Sequence, residues 1–568
     1  MKTKIILIIA SAFAAVACTS GYGGAPIAQK AIGKVETMPS LPQPYAILDW
    51  HQKALDFDAF AFDFDNPAPC GPVIWWDDAR RNNGGRTFGL YTAMKDARQG
   101  ADVNNGEFHE SLNTLHCLLG AGLNGIDKRD QNGNNWVKMS QNYFNTENGW
   151  NIVMNNTCPE VALLGGGYGR DWWYDIYPNI LFWAVSEVFP GVDGAEEILR
   201  TTADQFARAD SVLAGNYDYT YFDYAAMKGC NNWIPKQQDA AGGHAWVLYS
   251  AYRHFGDERY LKHAISAMEA LEGQTESRFY EILLPMGIYT AARLNAEQGC
   301  SFDLDKMFSW VFDGCTAADG RTGWGITSGR WGDYDIAGLQ GSLIDGGGFA
   351  FLMNSIDVAW PFVPLVKYQP QYARAIGKWM LNNVNSCRLF FPDQIPDSLQ
   401  CLPGMQDYTN SVIAYEGLRY EDDRYMPVEH EGKHPIALGD GPLWNEKNPP
   451  ESMFSVYSTS AVGILGAIVR TTDVEGILRL DCNATDFYAS RPWPVYLMYN
   501  PHTDAREVTY TLDGDSRCDL LDVVSGKYLA KGVSDSCKIP IDADCAALIA
   551  ELPAGTQAND KTILYNEK

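Results

Sequence analysis

Residues 239–271 read DAAGGHAWVLYSAYRHFGDERYLKHAISAMEAL and contain two helical segments separated by a turn. The first segment, 239–255, is apolar nearly all round, whereas the second, 260–271, is apolar on one stripe only. Helices of the first kind lie inside a fold, and helices of the second kind cover them from outside. In the turn, Gly256 ends the first helix and Asp257 caps the second. The stretch therefore predicts a hairpin of one inner and one outer helix.

The same alternation repeats on both sides of this hairpin. Apolar residues recur at helical spacing from about 110 to 472, with Gly, Pro and Asp at the breaks. An apolar segment at 171–188 precedes an amphipathic one at 194–213, and more segments follow, at 276–297, 304–312, 346–358, 371–385 and 455–471. We predict a mainly α fold, an (α/α)6 toroid of helical hairpins over 106–474. A bundle or solenoid shares this periodicity, but the inner and outer alternation and the long aromatic loops favour the toroid.

The chain changes character on both sides of this helical region. Beyond it, short β-rich runs alternate with turns, at 495–499, 508–512 and 546–552. They predict a small C-terminal antiparallel β-sandwich at 475–556, followed by a tail at 557–568. We expect the sandwich to pack against the toroid, with carbohydrate binding as the alternative. Residues 41–105 mix strand-like and coil segments and are expected to pack on the barrel.

The N-terminus indicates the compartment. Residues 1–18, MKTKIILIIASAFAAVAC, combine two lysines, an apolar run and small residues before Cys18. This is the pattern of an export signal, and the run is too short to span a membrane. Small residues directly before a cysteine resemble a bacterial lipobox, which implies a lipidated Cys18 and a tether at 19–40. We expect an exported protein held to the outer membrane by this lipid and facing the periplasm. The alternatives are the cell surface and a plain cleavage site at which Cys18 is incidental.

The composition of the chain restricts the classes of molecule that it is expected to bind. The chain carries 44 Lys and Arg against 70 Asp and Glu, a net charge of −26, which disfavours nucleic acids and anionic lipid headgroups as partners. Its 17 tryptophans suit either a large core or stacking against sugars. The 13 cysteines show no C-x-x-C pair, which leaves free thiols and one or two disulfides both open. His109 and His116 are interpreted as structural, and neither a metal nor a cofactor is predicted.

The turn YRHFGDERYL at 252–261, followed by Ala264, resembles the hairpin turn of six-hairpin glycosidases and related polysaccharide lyases. The resemblance covers 110–472, about two thirds of the chain. It implies a carbohydrate-active enzyme on an (α/α)6 barrel and an oligosaccharide or polysaccharide as substrate. Within the superfamily, the branch we consider is the secreted β-glucuronidases of gut Bacteroidetes. This choice rests on no motif that is specific to that branch.

Cleavage of a glycoside needs two carboxyl groups, so we searched for acids among glycines and aromatic residues at helix starts. The strongest segment is PEVALLGGGYGRDWWYD at 159–175, whose glycines let a ligand approach the backbone. It supplies Asp175 as a first-choice catalytic residue and Glu160 as a reserve. Its substrate-binding candidates are Tyr168, Arg170, Asp171 and Trp172. The alternative is an ordinary loop in which Asp171 only caps the next helix.

Three more segments follow the same pattern. In QQDAAGGH at 237–244, Asp239 precedes small residues and is the other first-choice catalytic residue. His244 lies one turn further in, and an N-cap with a core histidine is the alternative for this pair. Asp345 precedes three glycines, and Glu281 lies in an apolar stretch that is expected to be helical. The remaining binding candidates are Arg278 and, in the rim loop at 322–335, Trp324, Arg330 and Trp331.

These residues predict an exported glycoside hydrolase that releases sugars, with glucuronic acid considered first, from oligosaccharide or polysaccharide ends. Asp175 and Asp239 are the expected catalytic pair, ahead of Glu160, Glu281 and Asp345. One alternative is a polysaccharide lyase on the same scaffold, with His244 or a tyrosine as base. Another is a lipoprotein that binds glycans without cleaving them.

Overall fold

The structure is a computed structural model. It describes residues 24–65, 73–77, 86–95, 110–146, 149–155, 171–232, 234–315, 324–342, 348–420, 433–439, 448–514, 516–558 and 560–566. The α-helices in these ranges are α1 Gly33–Glu36, α2 Trp50–Ala61, α3 Ser111–Leu123, α4 Trp136–Ser140, α5 Trp172–Val188, α6 Ala195–Leu213, α7 Ala240–Phe255, α8 Glu258–Glu272, α9 Leu283–Glu297, α10 Leu304–Phe312, α11 Leu352–Asp357, α12 Ala359–Tyr368, α13 Ala373–Cys387, α14 Gln406–Thr409, α15 Val456–Thr459 and α16 Val462–Ile468.

Six of these helices form a closed inner ring. Each packs against the next in the order α3, α5, α7, α9, α12, α16, and α16 returns to α3. The outer layer is made by α4, α6, α8, α10, α13 and α2, each packed against one or two members of the ring. This ring of six hairpins confirms the predicted (α/α)6 toroid.

The difference between inner and outer helices follows from their sequences. Every residue of α7 from 240 to 251 is buried, whereas α8 buries one stripe: Tyr260, Ala264, Ala267, Met268 and Leu271. Gly256 adopts the left-handed conformation between the two helices, with φ 68°, and the Asp257 side chain caps α8. Gly242 and Gly287 let α7 and α9 approach closely, because a Cβ at either position would meet backbone of the other.

The N-terminal region contributes more to the ring than the sequence indicated. Strand-like and coil segments were expected over 41–105, but residues 50–61 of that region form α2, the outer partner of α16 and α3. The Asp49 side chain caps this helix by accepting the N–H of Gln52 at 2.9 Å. The sixth hairpin of the ring is therefore completed by a segment from the opposite end of the chain.

A sheet at one end of the ring was not predicted either. The strands there are β1 Ile74–Asp77, β2 Thr87–Leu90, β3 Phe144–Asn145, β4 Ile152–Val153, β5 Tyr221–Asp223, β6 Lys228–Cys230, β7 Trp324–Ile326, β8 Arg330–Trp331, β9 Tyr334–Asp335, β10 Gln340–Ser342, β11 Phe349–Phe351, β12 Gly417–Arg419 and β13 Ile436–Leu438. Five of them pair antiparallel in the order β13-β12-β11-β10-β7, and the others form two-stranded pairs. Part of the predicted rim loop is therefore sheet, and the helix expected at 346–358 begins only at Leu352.

The C-terminal region is the expected antiparallel sandwich. Its strands are β14 Val469–Thr471, β15 Leu478–Asp481, β16 Val495–Tyr499, β17 Arg506–Thr511, β18 Cys518–Asp522, β19 Lys527–Val533, β20 Ser536–Ile541 and β21 Ala546–Pro553. A six-stranded sheet, β14-β15-β16-β21-β18-β19, faces the pair β17-β20 across a small apolar core of its own. Strands β16 and β21 also contact α13, so the sandwich packs against the toroid.

The connection between β15 and β16 enters the ring at the C-terminal ends of its helices. We call residues 483–491 the plug. Asp486 lies there without solvent exposure and accepts hydrogen bonds from Lys367 Nζ at 2.6 Å and from the hydroxyls of Tyr289 and Tyr368. The guanidinium of Arg293 donates to two carbonyl oxygens of the plug, at 3.1 and 2.9 Å. The sandwich therefore closes this end of the toroid.

Two further observations concern the described ranges. The ten cysteines there are all free thiols. Among the helices of these ranges, none combines the length and the apolar character that a membrane span requires.

Candidate functional site

Four carboxyl groups meet where the inner helices begin. Glu110 precedes α3, Asp171 precedes α5, Asp239 precedes α7 and Glu281 lies just before α9. With three phenols, these acids make up what we call the rim cluster: Glu110, Asp171, Asp239, Glu281, Tyr174, Tyr280 and Tyr457. All inner helices have the same orientation in the ring, and therefore the chain brings these starts together at one end.

Asp239 has the most unusual environment in this cluster. Its side chain does not cap α7, in contrast to one sequence-based alternative, and instead Oδ2 accepts the N–H of Tyr280 at 3.0 Å. The residue is 1% exposed, and Oδ1 has no hydrogen-bond partner among the described residues. Burial raises the pKa of this carboxyl well above its ordinary value, and the nearby Asp171 adds to the rise. The carboxyl therefore holds its proton more tightly than an exposed aspartate does.

Glu281 is held in a different way. It precedes α9 instead of lying inside a helix, so the expectation of a helical Glu281 is wrong. Its φ is 60°, in the left-handed region that non-glycine residues adopt at a cost. The Gln340 amide donates to its carbonyl oxygen at 2.6 Å, and the Asn354 amide donates to its carboxylate Oε2. Such an unfavourable backbone persists where the surroundings enforce it, which is common at functional sites.

Tyr174 connects the remaining acids. The Asp171 carboxylate accepts its N–H at 3.2 Å, which confirms Asp171 as the cap of α5. Burial raises the pKa of the Tyr174 phenol well above its ordinary value, with further contributions from Glu110, Asp171 and Glu281. Tyr457 shows the same direction of pKa shift, from burial and from its neighbours Tyr174, Glu110 and Glu281. These phenols are therefore neutral hydrogen-bonding groups beside the acids.

Two nitrogen donors beside Asp239 also lack partners. The Trp173 indole Nε1 and the Gln237 amide Nε2 are buried and have no hydrogen-bond partner among the described residues. The two residues are in contact, because Gln237 Oε1 accepts the backbone N–H of Trp173 at 3.3 Å. Buried polar atoms need hydrogen-bond partners, and a ligand or water at this place can supply them for the two donors.

An aromatic wall adjoins the cluster on the side of the five-stranded sheet. Trp324 stacks on Phe351 at 6.0 Å between ring centroids, and Phe351 stacks on Tyr457 at 6.5 Å. Tyr280 meets Trp324 edge-on at 6.4 Å. Flat apolar faces next to polar hydrogen-bonding groups suit sugar rings, which have apolar faces and hydroxyl edges. Of the two tryptophans predicted in the rim loop, Trp324 is the one in this wall.

The structure separates the other first-choice acid from the rim cluster. Asp175 lies beside Tyr224, whose pKa is raised mainly by burial and further by this carboxylate. It shares its helix face with Asn179, which exchanges hydrogen bonds with the backbone of Val153 at 2.9 and 3.0 Å. Two positions further along the helix, Tyr177 faces His116 of α3 instead. The contacts described for the two first-choice acids therefore differ, because Asp175 lies beside Tyr224 and Asp239 bonds Tyr280.

His244 and Trp172 belong to the same lateral core. The imidazole lies between the hydroxyls of Tyr217 and Tyr224, at 3.4 and 3.1 Å, and burial lowers its pKa to about 3. Trp172 is fully buried and donates from Nε1 to the carbonyl of Tyr219 at 2.8 Å. Both are packing residues, so the alternative of a core histidine describes His244.

The predicted arginine clamps carry ion pairs of their own. Arg278 pairs with Glu276 at 2.8 Å, and Arg330 lies 3.4 Å from Asp335. Trp331, next to Arg330, packs against Tyr420 at 6.0 Å between centroids. The remaining candidates lie outside the described residues: Cys18, Glu160, Tyr168, Arg170 and Asp345.

Sequence reasoning missed Glu110, Tyr174, Gln237 and Tyr457. Glu110 lies in EFHESLNTLH, a segment that we considered only for its histidines, although its position at a helix start is the signal used elsewhere. Gln237 was quoted but assigned no role. Within the described residues, no group of three or more His, Cys, Asp and Glu side chains is placed to hold a metal ion.

Comparisons with known proteins give distant likenesses. No family model and no curated protein sequence matches the chain. Among solved structures it is similar to a protein described as a glycoside hydrolase, at 8% identity and a TM-score of 0.38, over 93% of this chain and 80% of the other. It is similar to a β-L-arabinofuranosidase from Geobacillus stearothermophilus, at 10% identity and a TM-score of 0.36, over 89% and 81%. It is also similar to an unsaturated glucuronyl hydrolase from Streptococcus agalactiae, at 12% identity and a TM-score of 0.35, over 78% and 96%. The fold described above rests on the helix contacts of the chain itself.

Proposed function

We propose that the chain is a glycoside hydrolase whose reaction uses two carboxyl groups of the rim cluster, Asp239 and Glu281. The observation that carries the proposal is Asp239, a buried carboxyl with a raised pKa and an oxygen that no described residue engages. A carboxyl group whose pKa is raised holds its proton at a higher pH and can donate it to the leaving glycosidic oxygen.

Glu281 suits the second role, as the ionised carboxylate that acts as nucleophile or activates water. The Asn354 amide donates to Oε2, and a hydrogen bond to the charged form stabilises the anion. Residues 280 and 281 are adjacent, and the N–H of Tyr280 bonds Asp239 Oδ2 at 3.0 Å. One short backbone segment therefore positions both carboxyl groups.

The surroundings of the pair support a sugar as the ligand. Trp173 Nε1 and Gln237 Nε2 offer buried donors for hydroxyl groups, and the wall of Trp324, Phe351 and Tyr457 offers stacking faces. A hydroxyl-rich ring satisfies both at once, whereas an apolar ligand leaves the donors without partners at a free-energy cost.

The aromatic packing toward the plug supports cleavage at the end of a sugar chain. Trp246 and Trp360 meet on the axis at 6.0 Å between centroids, and Phe487 of the plug packs beneath Trp360 at 5.2 Å. Among the described residues, these rings fill the interior of the ring between the rim cluster and the plug. A substrate enters from the side of the rim cluster and ends there, which suits release of a terminal sugar.

A lyase on this scaffold is less well supported. Elimination needs a base that removes a proton from carbon, and the sequence offered His244 or a tyrosine for that role. His244 is buried away from the rim cluster, and the pKa values of Tyr174 and Tyr457 are raised, which makes the phenolates harder to form. Hydrolysis uses these phenols as neutral donors and requires no phenolate.

Glucuronic acid is the first sugar to test, although Arg278 and Arg330 pair with Glu276 and Asp335 and give it no separate support. Its support is the sequence resemblance. Export and lipid attachment at Cys18 are likewise proposals that rest on residues 1–18. Loss of membrane association in a Cys18→Ala variant, measured by cell fractionation, tests that attachment.

The activity itself is tested with the purified chain on a panel of oligosaccharides with uronate or neutral termini. We expect a free monosaccharide and a new reducing end, without the near-ultraviolet absorbance that an unsaturated lyase product shows. An absorbing product would indicate the lyase. Binding without any released sugar after long incubation would indicate a glycan-binding protein.

A further inference from the structure

Beneath the rim cluster, on the ring axis, lies a buried polar trio that the proposed reaction does not use. It consists of His116 on α3, Tyr177 on α5 and Asp357 at the end of α11. His116 Nε2 lies 3.0 Å from the Tyr177 hydroxyl and 3.1 Å from Asp357 Oδ1. The side chains of His116 and Asp357 are completely buried.

The trio lies in apolar surroundings, because Trp360 packs against Tyr177 at 6.5 Å between ring centroids. Asp357 Oδ2 and His116 Nδ1 have no hydrogen-bond partner among the described residues. A buried polar pair with incomplete hydrogen bonds contributes little to stability relative to an apolar replacement. Its presence on the axis therefore calls for a role other than stability.

Helix α11, which carries Asp357, also provides a hydrogen-bond donor to Glu281. Asn354, three residues earlier on α11, donates its amide to the Glu281 carboxylate, so the two side chains lie on one face of this short helix. Tyr177 lies close to both carboxyl groups. Burial raises the pKa of its phenol, and the charges of Asp357 and Glu281 raise this pKa further. The inner helices α3 and α5 and the short α11 thus meet at a point directly connected to the proposed catalytic carboxylate.

We propose that His116 and Asp357 are positioning residues, whose contact fixes α11 and, through Asn354, the orientation of the Glu281 carboxylate. The inference rests on the proposed function, because it assigns the trio to Glu281 of that site. The six-residue α11 runs directly into α12 and packs against α13, α15 and α16, and the contact of Asp357 with His116 ties it to α3 as well. Small displacements of a catalytic group lower the rate strongly while ground-state binding changes little.

The test uses the full-length chain with Asp357→Asn, His116→Leu and His116→Gln. We expect kcat to fall about tenfold to a hundredfold in Asp357→Asn and His116→Leu, with KM within about threefold of the wild type. His116→Gln can return a donor to the position of Nε2, and we expect it to recover most of kcat.

The matched control is Asp486→Asn, which removes the charge of a buried carboxylate at the opposite end of the ring. Its partner Lys367 lies 2.6 Å away, and both side chains are fully buried. We expect a lower unfolding temperature and a kcat close to that of the wild type. Should His116→Leu fail to fold, Asp357→Asn and His116→Gln carry the comparison.

Crystal structures of the same variants separate this inference from the proposed function, since they need no substrate. We expect the contact between Asn354 and Glu281 to be lost in Asp357→Asn and kept in His116→Gln and Asp486→Asn. An unchanged Glu281 in Asp357→Asn, or an unchanged kcat in that folded variant, overturns the positioning role. A wild-type chain without glycosidase activity refutes the proposed function and leaves the structural comparison to decide the role of the trio.

Discussion

The two ends of the helical ring bury acids in opposite ways. At the plug end, Asp486 faces Lys367, and Glu297 faces Arg293, so each buried carboxylate meets a cation. At the rim end, Asp239 lies beside Asp171, and its Oδ1 has no partner among the described residues. Acids matched by cations connect two parts of a structure, whereas burial beside another acid raises the pKa of a carboxyl group. The contrast distinguishes a structural end of the ring from the end at which we propose the reaction.

The largest expected effect is on the rate at the rim end. Asp239→Asn removes the proposed proton donor and Glu281→Gln removes the anion, and we expect kcat to fall by about a hundredfold to ten-thousandfold in each. Kinetics on the substrate that the wild type cleaves measure this loss.

Asp175→Asn is the matched control for these variants, since the same chemical change is made on the lateral face beside Tyr224. We expect its kcat to stay within a few-fold of the wild type. A variant series in which Asp175→Asn is inactive and Asp239→Asn is active would reverse the assignment.

The plug end predicts a loss of stability without a loss of chemistry. Asp486→Asn leaves the buried Lys367 ammonium without its counter-ion, and we expect the free energy of unfolding to fall by about 3–5 kcal/mol. Denaturant unfolding measures the change. The double variant Lys367→Met with Asp486→Asn should recover most of the loss, and a double variant as unstable as the single one would show that the charge is not the cause.

Stability should depend on pH through Asp239. Burial raises its pKa in the folded chain above the unfolded value, so the folded chain binds the proton more tightly. The stability that this carboxyl contributes is then full below its unfolded pKa and declines as the pH rises toward the folded pKa. We expect Asp239→Asn to gain thermal stability relative to the wild type as the pH is raised from 4 to 8. A difference that stays constant over this range would contradict the raised pKa.

The smallest expected effect concerns recognition of the substrate. Gln237→Ala removes one of the two donors without partners, and we expect KM to rise about twofold to tenfold with a smaller change in kcat. Gln274→Ala is the control, because Gln274 donates instead to the carbonyl of Gln238 at 2.8 Å. Equal KM values for the two variants would place the ligand elsewhere.

The hairpins were predictable because the apolar pattern within one helix shows whether that helix is buried all round or on one side. The apolar circumference of 239–255 and the single stripe of 260–271 are local properties, and the structure shows them as the inner helix α7 and the outer helix α8. The capping roles of Asp171 and Asp257 also follow from their immediate neighbours. Such features require no knowledge of the rest of the chain.

The candidate site was predictable only in part. Asp239 was selected because it precedes small residues at a helix start, and the structure places it in the rim cluster. Asp175 satisfied the same rule, but it lies two positions before Tyr177, which faces His116 of the inner helix α3. Two positions along a helix turn a side chain by about 200°, so Asp175 lies on the opposite face of α5. Glu281 was placed within a helix because its neighbours are apolar, and its left-handed backbone depends on Gln340 and Asn354, which are distant in sequence.

By itself, the sequence determined the class of fold, because the periodicity of apolar residues decides which helices are inner and which are outer. It also determined that acids, glycines and aromatic residues accumulate at helix starts. The tertiary structure alone decided which of these acids meet, which are matched by cations and which retain a proton. Those properties depend on distances between residues far apart in the chain, and on burial that exists only once the ring has closed.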